Sequence, residues 1–412
     1  GIFALPGVAA EAAGLFSPWL FVICAVLIMT VVLSFARAAS FFGDTGGPIV
    51  YVEEAFGNFA GFQAGWLYTF ARIAALAANA HLMVTYAAWL WPALDAGVPR
   101  LSMISFVCVF LTFVNVIGVR GGMATIFAMT VLKLLPLSLI ALVGLVHINP
   151  DVFVAPQIPE IEGIGGLILV LLYAFVGFEA AVVPAGEVKS PQKSVPRSLI
   201  WTVAVISVLY FVIQLVSVSV VPDLGSTGRP LAAVAEALLG APGATLLVLG
   251  AVFSILGNIS SMFITGPRML YAMGRDGGLP SWFAVINTRF HTPVNSIVFM
   301  GVVGLALALS GGFVWLAAMS TVVRLIIYMA TILALPRLKK NIGEQPGQFS
   351  LPGGMLIPVI ALLLCLWLTM HASIKSWLTM LVFAAIGTVM YFLTRRFSGK
   401  SPESNQPLTN GP

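Results

Sequence analysis

The feature that most restricts the fold is a series of long apolar runs joined by short polar loops. A helix needs roughly 20 apolar residues to cross a bilayer, and only a helix or a closed barrel satisfies its own backbone there. Hydrophobic residues make up 59% of the chain and charged residues 8%, which excludes an ordinary soluble domain. We predict one all-α membrane domain over 1–396, with a short apolar segment at 1–13 and spans at 17–39, 58–92, 101–119, 123–147, 163–188, 196–221, 243–274, 293–310, 313–336, 354–371 and 374–394.

Local motifs give no support to catalysis. The chain has no HExxH, GxSxG or GxxxxGK[ST] pattern, and its three cysteines lie inside apolar runs. The net charge of +5 comes from basic residues in short loops, which is not a nucleic-acid signal. We therefore expect neither an enzyme nor a cofactor, and no nucleic-acid partner.

The basic residues orient the spans. Fourteen lie in loops or ends on the side that follows residues 17–39, and three lie on the other side. Cytoplasmic loops carry the excess of Lys and Arg, so we predict a cytoplasmic carboxyl terminus in a bacterial inner membrane. Residues 397–412 are polar and predict a disordered cytoplasmic tail. Residue 1 then lies near mid-membrane, and we expect a truncated amino terminus that lacks an inner half-helix.

The run from Gly165 to Ile200 begins as a spanning helix and is then interrupted. Gly177 falls within it, Glu179 follows, and Pro184 comes before the basic exit. A carboxylate at membrane depth costs roughly 2.5–3.5 kcal/mol on insertion scales, so a functional reason is the default interpretation. Glycine and proline are tolerated where the backbone faces a cavity. We predict a discontinuous helix at a midplane binding site.

Two segments match each other. GIFALPG at 1–7 and GFEAAVVPAG at 177–186 each combine glycine, an apolar stretch and proline. Each stands in the first span of a five-span set, 1–147 and 163–336, and the charge rule makes them cross in opposite directions. Interrupted spans at corresponding places predict an inverted-repeat transporter, with two extra helices at 354–394. The alternative is that Gly and Pro are simply common in membrane helices.

Several longer motifs resemble the amino acid–polyamine–organocation superfamily of permeases. They are GIFALPG at its first span, GGPIVYVEEAFGNFAGFQAGWLY after the second, YAFVGFEAAVVPAGEVKSPQKSVPRSL at the sixth, and RMLYAMGRDGGLPSWFAVINTRFHTPVNS after the eighth. The resemblance implies an all-α, LeuT-like 5+5 inverted repeat with about twelve spans, the first one partial. It also implies secondary active transport of an amino acid. The chain lacks the serine that precedes the first glycine in the family motif.

A zwitterionic amino acid needs donors for its carboxylate and acceptors for its ammonium. A helix amino terminus offers N–H groups and a positive dipole, and a helix carboxyl terminus offers carbonyls. We expect the N–H groups of Gly1, Ile2 and Phe3 to bind the carboxylate. We expect the carbonyls of Tyr173 and Val176, at the interruption around Gly177, to bind the amine, which is similar to the family's binding mode. The alternative is that these glycines serve close helix packing.

Glu179 has two interpretations. It is either a carboxylate hydrogen-bonded inside the bundle or a proton-responsive gate element, since burial disfavours the charged form. Related antiporters have tyrosines near the corresponding acid. The resemblance places Tyr68 and Tyr328 at those positions.

Four further polar residues lie inside predicted spans. By resemblance, Lys133 puts an ammonium where sodium-coupled members bind a cation, and it could carry the coupled proton; the alternative is a lysine paired to a carbonyl. Arg72, one turn after Tyr68, could approach the pocket or pair with Glu179. Arg324 and Arg72 could equally be satisfied by carbonyls, and we expect His81 to be structural.

The aligned pocket positions are apolar apart from one tyrosine, namely Tyr173, Leu76, Met262, Ala71, Ala74 and Ala75. No second intramembrane acid accompanies Glu179, so a neutral, small to medium, apolar amino acid is favoured, moved with protons or by exchange. The alternatives are a cationic amino acid or polyamine antiporter, or a channel or sensor on the same fold. We expect a monomer or homodimer without a disulfide-linked partner, because the outer loop at 95–100 has no cysteine.

Overall fold

The computed structural model describes residues 1–43, 47–118, 123–154, 163–182, 188–344 and 348–398, with side chains at 123–133, 154 and 398 excepted. No strand occurs within these ranges, which confirms the all-α prediction. The helices are α1 Leu5–Ala13, α2 Ser17–Ala39, α3 Pro48–Phe56, α4 Asn58–Leu90, α5 Gly97–Ile117, α6 Met123–Gly144, α7 Asp151–Val154, α8 Ile164–Leu171, α9 Pro191–Val220, α10 Pro230–Arg275, α11 Val294–Ser310, α12 Phe313–Ile342, α13 Leu356–Met370 and α14 Ile374–Ser398.

Most predicted spans coincide with observed helices to within a few residues. Within the described chain, seven stretches are long and apolar enough to cross a membrane, the first of which joins α1 and α2. Four shorter apolar stretches cover residues 134–147, 164–174, 294–310 and 356–370. The predicted tail at 397–412 begins two residues early, since α14 continues to Ser398; residues 399–412 lie outside the described part.

Helix α10 is longer than predicted because it joins two helices. At 46 residues it would reach about 70 Å, far beyond the roughly 30 Å of a bilayer core. Gly240 has φ 69°, a left-handed conformation that glycine adopts without steric cost, and it divides the element. Residues 230–239 therefore form a short helix before the apolar span at 241–275.

Helix α4 lies at the centre of the bundle. Its most apolar window is 78% buried, more than that of any other long span in the described chain. It packs against α3, α10, α11 and α12, while α2 packs against α9. Small residues fill its middle, where a run of alanines lets neighbouring backbones approach closely. Side chains on α4 can therefore reach several helices at once.

Candidate functional site

The segment after α8 is interrupted at Gly177. The α-helix ends at Leu171, tightens to a 3-10 turn over Leu172–Ala174, and resumes as a 3-10 turn at Phe178–Val182. Gly177 has φ 110°, outside helical geometry. The predicted discontinuity is therefore present, although Pro184 and Gly186 lie outside the described residues.

Hydrogen bonds at this interruption are diverted from the helical pattern. In a regular helix the Gly177 N–H would donate to the Tyr173 carbonyl four residues earlier. Here it donates to Glu179 Oε2 at 2.9 Å. The Ala180 N–H likewise donates to the Gly177 carbonyl at 3.1 Å rather than to that of Val176. Both carbonyls predicted to bind an amine, those of Tyr173 and Val176, are thus without the N–H donor that a regular helix would give them.

The chain before α1 forms a short non-helical segment. Its first backbone hydrogen bond is donated by the Ala4 N–H to the Gly1 carbonyl at 3.1 Å. The N–H groups of Ile2 and Phe3 therefore precede the helical ladder, as the first N–H groups of any helix do. Pro6 has no N–H to donate. Tyr86 on α4 donates its hydroxyl to the Phe3 carbonyl at 2.6 Å and fixes the segment from outside.

This segment contacts the interruption that follows α8. A Cβ atom on Gly1 would lie 2.8 Å from Ala174 Cα and 3.2 Å from the Tyr173 carbonyl oxygen. Only a residue without a side chain fits so close to another backbone. The structure thus places Gly1 against Tyr173 and Ala174, at the start of the interruption that contains Gly177.

Glu179 follows Gly177 by two residues and is fully buried. Its Oε1 accepts from Arg324 Nε at 2.9 Å, and its Oε2 accepts from the Tyr328 hydroxyl at 2.8 Å. Together with the Gly177 N–H, three donors converge on one carboxylate. The sequence argument considered the burial of Glu179 without the counter-charge that Arg324 supplies. Tyr328 lies beside the acid, as predicted.

Arg72 takes a different place from the one suggested for it. Arg324, not Arg72, forms the ion pair with Glu179. Arg72 Nη1 instead donates to the Tyr68 hydroxyl at 3.2 Å, and Nη2 donates to the Thr265 hydroxyl on α10. Arg324 also donates to Ser320 on its own helix. The suggested Arg72–Glu179 pair is therefore wrong.

A polar network that sequence reasoning missed surrounds Tyr173. Asn79 Nδ2 donates to the Tyr173 hydroxyl at 3.0 Å and to the Ala75 carbonyl at 2.7 Å. Asn258 on α10 donates to Asn79 Oδ1 at 3.4 Å. An amide in the apolar runs AANAHL and LGNISS was the available signal. His81 contacts the Ala308 carbonyl at 2.7 Å, which accords with a structural role.

Gln214 on α9 was missed as well. Its Nε2 donates to the Pro6 carbonyl at 3.2 Å and to Ser17 Oγ at 2.7 Å. The Pro6 carbonyl lies in the short α1, so this glutamine anchors α1 to α9. A buried amide in FVIQLVSV was the only sequence signal.

The predicted pocket positions occupy different surroundings. The Ala71 carbonyl accepts from Ser320 Oγ at 2.8 Å, which ties α4 to α12 beside the acid. Met262 is buried on α10. A Cβ on Gly304 would lie 3.0 Å from Leu76 Cδ2, so Leu76 packs against α11. Lys133 lies within α6, but its side chain is outside the described residues.

Other features of the described chain do not add to the site. No group of three or more His, Cys, Asp or Glu side chains there could hold a metal ion. All three cysteines are buried and unpaired. A groove of about 490 Å³ between α2 and α9 has an apolar lining that includes Met29 and Val208, and it lies away from the interrupted segments.

An apolar helical bundle that contains a discontinuous helix, with the start of another helix packed against the break, is typical of membrane transporters of small organic molecules. Comparison with known families gives the same class. The amino acid permease family model matches residues 1–398, so the chain belongs to this family, which is part of the amino acid–polyamine–organocation superfamily. The superfamily resemblance is thereby confirmed.

Three curated relatives, all from Bacillus subtilis (strain 168), illustrate the similarity. A methylthioribose transporter is 28% identical over 96% of this chain and 89% of its own length. The branched-chain amino acid permease BcaP is 27% identical over 98% and 90%. The serine/threonine exchanger SteT is 27% identical over 88% and 84%. All three are transporters rather than enzymes, and they point to an integral membrane protein of bacterial origin.

Proposed function

We propose that this permease is a secondary active transporter that moves a neutral, small to medium, apolar amino acid across the bacterial cytoplasmic membrane by alternating access. The observation that carries the proposal is the backbone contact between Gly1, just before α1, and Ala174, at the interruption after α8. The substrate sites of inverted-repeat transporters are formed where helix ends meet at a discontinuous helix.

The binding mode follows from the diverted hydrogen bonds. The substrate carboxylate binds the N–H groups of Gly1, Ile2 and Phe3 at the positive end of α1. The ammonium binds the carbonyls of Tyr173 and Val176, which have lost their helical donors. No charged side chain is needed to hold a zwitterion in this arrangement.

Pairing of helices supports the LeuT-like 5+5 inverted repeat. Corresponding spans of the two proposed halves pack on each other, as α2 does with α9, α4 with α10 and α5 with α11. Short helices also precede corresponding spans, since α3 precedes α4 and residues 230–239 precede 241–275. With α13 and α14 added, the two proposed halves give about twelve crossing segments, several of them shorter than the roughly 20 residues of an uninterrupted span. The positive-inside bias gives them a cytoplasmic carboxyl terminus.

Charge disfavours cationic substrates. The buried Arg324 is neutralised by Glu179, whereas Arg72 has no acidic partner among the described residues. A cationic amino acid or polyamine would therefore meet a positive field inside the bundle. Relatives named for branched-chain amino acids and for serine and threonine favour a neutral substrate.

We expect Lys133→Ala to abolish or uncouple transport while the protein remains folded. The proposed role is an ammonium that holds the first span against the scaffold and carries the coupled proton. Uptake is measured in proteoliposomes from pH 5 to pH 8, with Lys375→Ala as a control, since that lysine contacts the Ser310 carbonyl near the outer end of α11. Uptake by Lys133→Ala that matches the parent across this range contradicts the role.

Counterflow tests the function itself. We expect proteoliposomes preloaded with unlabelled leucine to accumulate labelled leucine transiently and saturably, because a cycling carrier exchanges its substrate. A channel on the same fold would give flux that neither saturates nor exchanges. Absence of counterflow with each of the neutral amino acids would count against the transporter proposal.

A further inference from the structure

Arg72 is a buried cation that the bundle leaves without a counter-charge. Its exposed fraction is 7%. Its guanidinium contacts two hydroxyl groups, those of Tyr68 and Thr265, and lies 5.5 Å from the Tyr68 ring centroid. Its Nε is buried and has no hydrogen-bond partner. None of the ion pairs in the described part of the chain involves it.

Within the described part of the chain, no carboxylate pairs with Arg72. Glu179 is the one acidic residue inside a predicted span away from its ends, and Arg324, Tyr328 and Gly177 already use it. The stretch from residue 119 to residue 133 contains no Asp or Glu and ends in Lys133. Arginine stays protonated in proteins. Among the described residues inside the predicted spans and away from their ends, the guanidinium groups of Arg72 and Arg324 therefore face the one carboxylate of Glu179.

An isolated charge inside a membrane protein is costly unless it is paired or serves a ligand. Arg72 lies on α4 three residues before Ala75, whose carbonyl accepts the Tyr173 hydroxyl at 3.3 Å. Three residues of helix rise by about 4.5 Å. The predicted topology places residue 58, where α4 begins, at the cytoplasmic side. Arg72 therefore lies about one helical turn closer to the cytoplasm than the Tyr173 hydroxyl does. Thr265, by contrast, is exposed, so the guanidinium lies at the margin of the packed interior.

We propose that Arg72, positioned by Tyr68 and Thr265, binds a carboxylate of the substrate. The subsite lies on the cytoplasmic side of α1 and of the interruption at Gly177. This proposal rests on the proposed transport function and adds a second carboxylate subsite to it. The unpartnered Nε and the second proton of Nη2 present two parallel donors, the geometry in which arginine binds carboxylates. In a neutral amino acid this is the α-carboxylate, which contacts Arg72 when it leaves the N–H groups of α1 toward the cytoplasm. A side-chain carboxylate at Arg72, with the α-carboxylate kept at α1, would instead make an acidic amino acid the substrate.

Paired ligands that differ in one carboxylate test the subsite. Thermal stabilisation of the purified protein is titrated with leucine and leucinamide, which differ in the α-carboxylate, and with glutamate and glutamine, which differ in the side chain. We expect Arg72→Gln to reduce the preference for the carboxylate member of one pair about tenfold, since a charge-assisted contact is lost. A loss in the first pair identifies the α-carboxylate as the ligand, and a loss in the second identifies the side chain.

Matched variants separate binding from simple destabilisation. Arg72→Lys keeps the charge and should retain part of the preference, whereas Thr265→Val should weaken it by loosening Arg72. Thr69→Val removes a buried hydroxyl that bonds to the Gly65 carbonyl of its own helix, and should leave the preference unchanged. The proposal is overturned by an unchanged preference in Arg72→Gln, by an equal loss in Thr69→Val, or by a wild-type protein that neither leucine nor glutamate stabilises. Leucine counterflow by the wild type is read separately, so that failure of transport is distinguished from failure of the subsite.

Discussion

Replacing Glu179 with glutamine should cost about 3–5 kcal/mol of stability, the usual effect of removing one partner from a buried ion pair. The Arg324 guanidinium would stay buried without a counter-charge. Glutamine also has a single acceptor oxygen where the carboxylate uses both, so its amide group would face the Gly177 N–H or Arg324 Nε. We expect a marked fall in the thermal unfolding temperature of the detergent-purified protein.

Two comparisons show whether this loss comes from the buried pair. Glu344→Gln removes a carboxylate of which 56% is exposed, paired with Arg37 at 2.8 Å, and should cost no more than about 1 kcal/mol. The double variant Glu179→Gln/Arg324→Gln should be more stable than the sum of the single losses predicts, because both charges are removed together. Additive losses, or equal effects of Glu179→Gln and Glu344→Gln, would show that the pair contributes nothing specific.

The same variant distinguishes the two interpretations of Glu179. A carboxylate that only holds the bundle together should lower protein stability and leave the pH profile of the remaining uptake unchanged. A proton-responsive gate element should give a flatter profile between pH 5 and pH 8. The convergence of Arg324, Tyr328 and Gly177 on the acid fits either role, since each contact could be exchanged during a transport cycle.

The helices could be predicted from sequence because their signals are local. Apolar length and loop charge are properties of short stretches, so spans such as 58–92 and 374–394 lie close to α4 and α14. The predicted helix bounds are wrong where a single glycine or proline has an effect that its local sequence does not reveal. Gly240 turns the chain without ending the helical pattern, and Pro336 is accommodated inside α12, which continues to Ile342.

The candidate site was predictable only in part. Glu179 and Gly177 stand out because a carboxylate and a glycine interrupt an apolar run. Their partners do not, since Arg324 is 145 residues from Glu179 in sequence and Tyr86 is 83 from Phe3. Such long-range pairing depends on how helices pack, which periodicity and propensity do not determine. The suggested Arg72 pairing failed for this reason.

Gly1→Ala should reduce the affinity for substrate, and we expect the loss to reach about a hundredfold, the effect that a misplacement of about 1 Å can have on a positioned site. The added Cβ would lie 2.8 Å from Ala174 Cα and 3.2 Å from the Ala174 nitrogen. Both atoms belong to the backbone, so the segment before α1 and the segment after α8 must move apart to make room for the Cβ atom. Separation would pull the N–H donors of α1 away from the Tyr173 carbonyl, and a zwitterion could no longer contact both. Binding is measured by thermal stabilisation with leucine.

Gly166→Ala is the matched control for this substitution. Gly166 lies on α8, close in sequence to Tyr173, but a Cβ there would meet nothing within 4 Å. Alanine is the better helix former, so stability should be unchanged or slightly higher and leucine affinity should be retained. If Gly1→Ala and Gly166→Ala bound leucine equally well, close approach of the two backbones would not be required for binding.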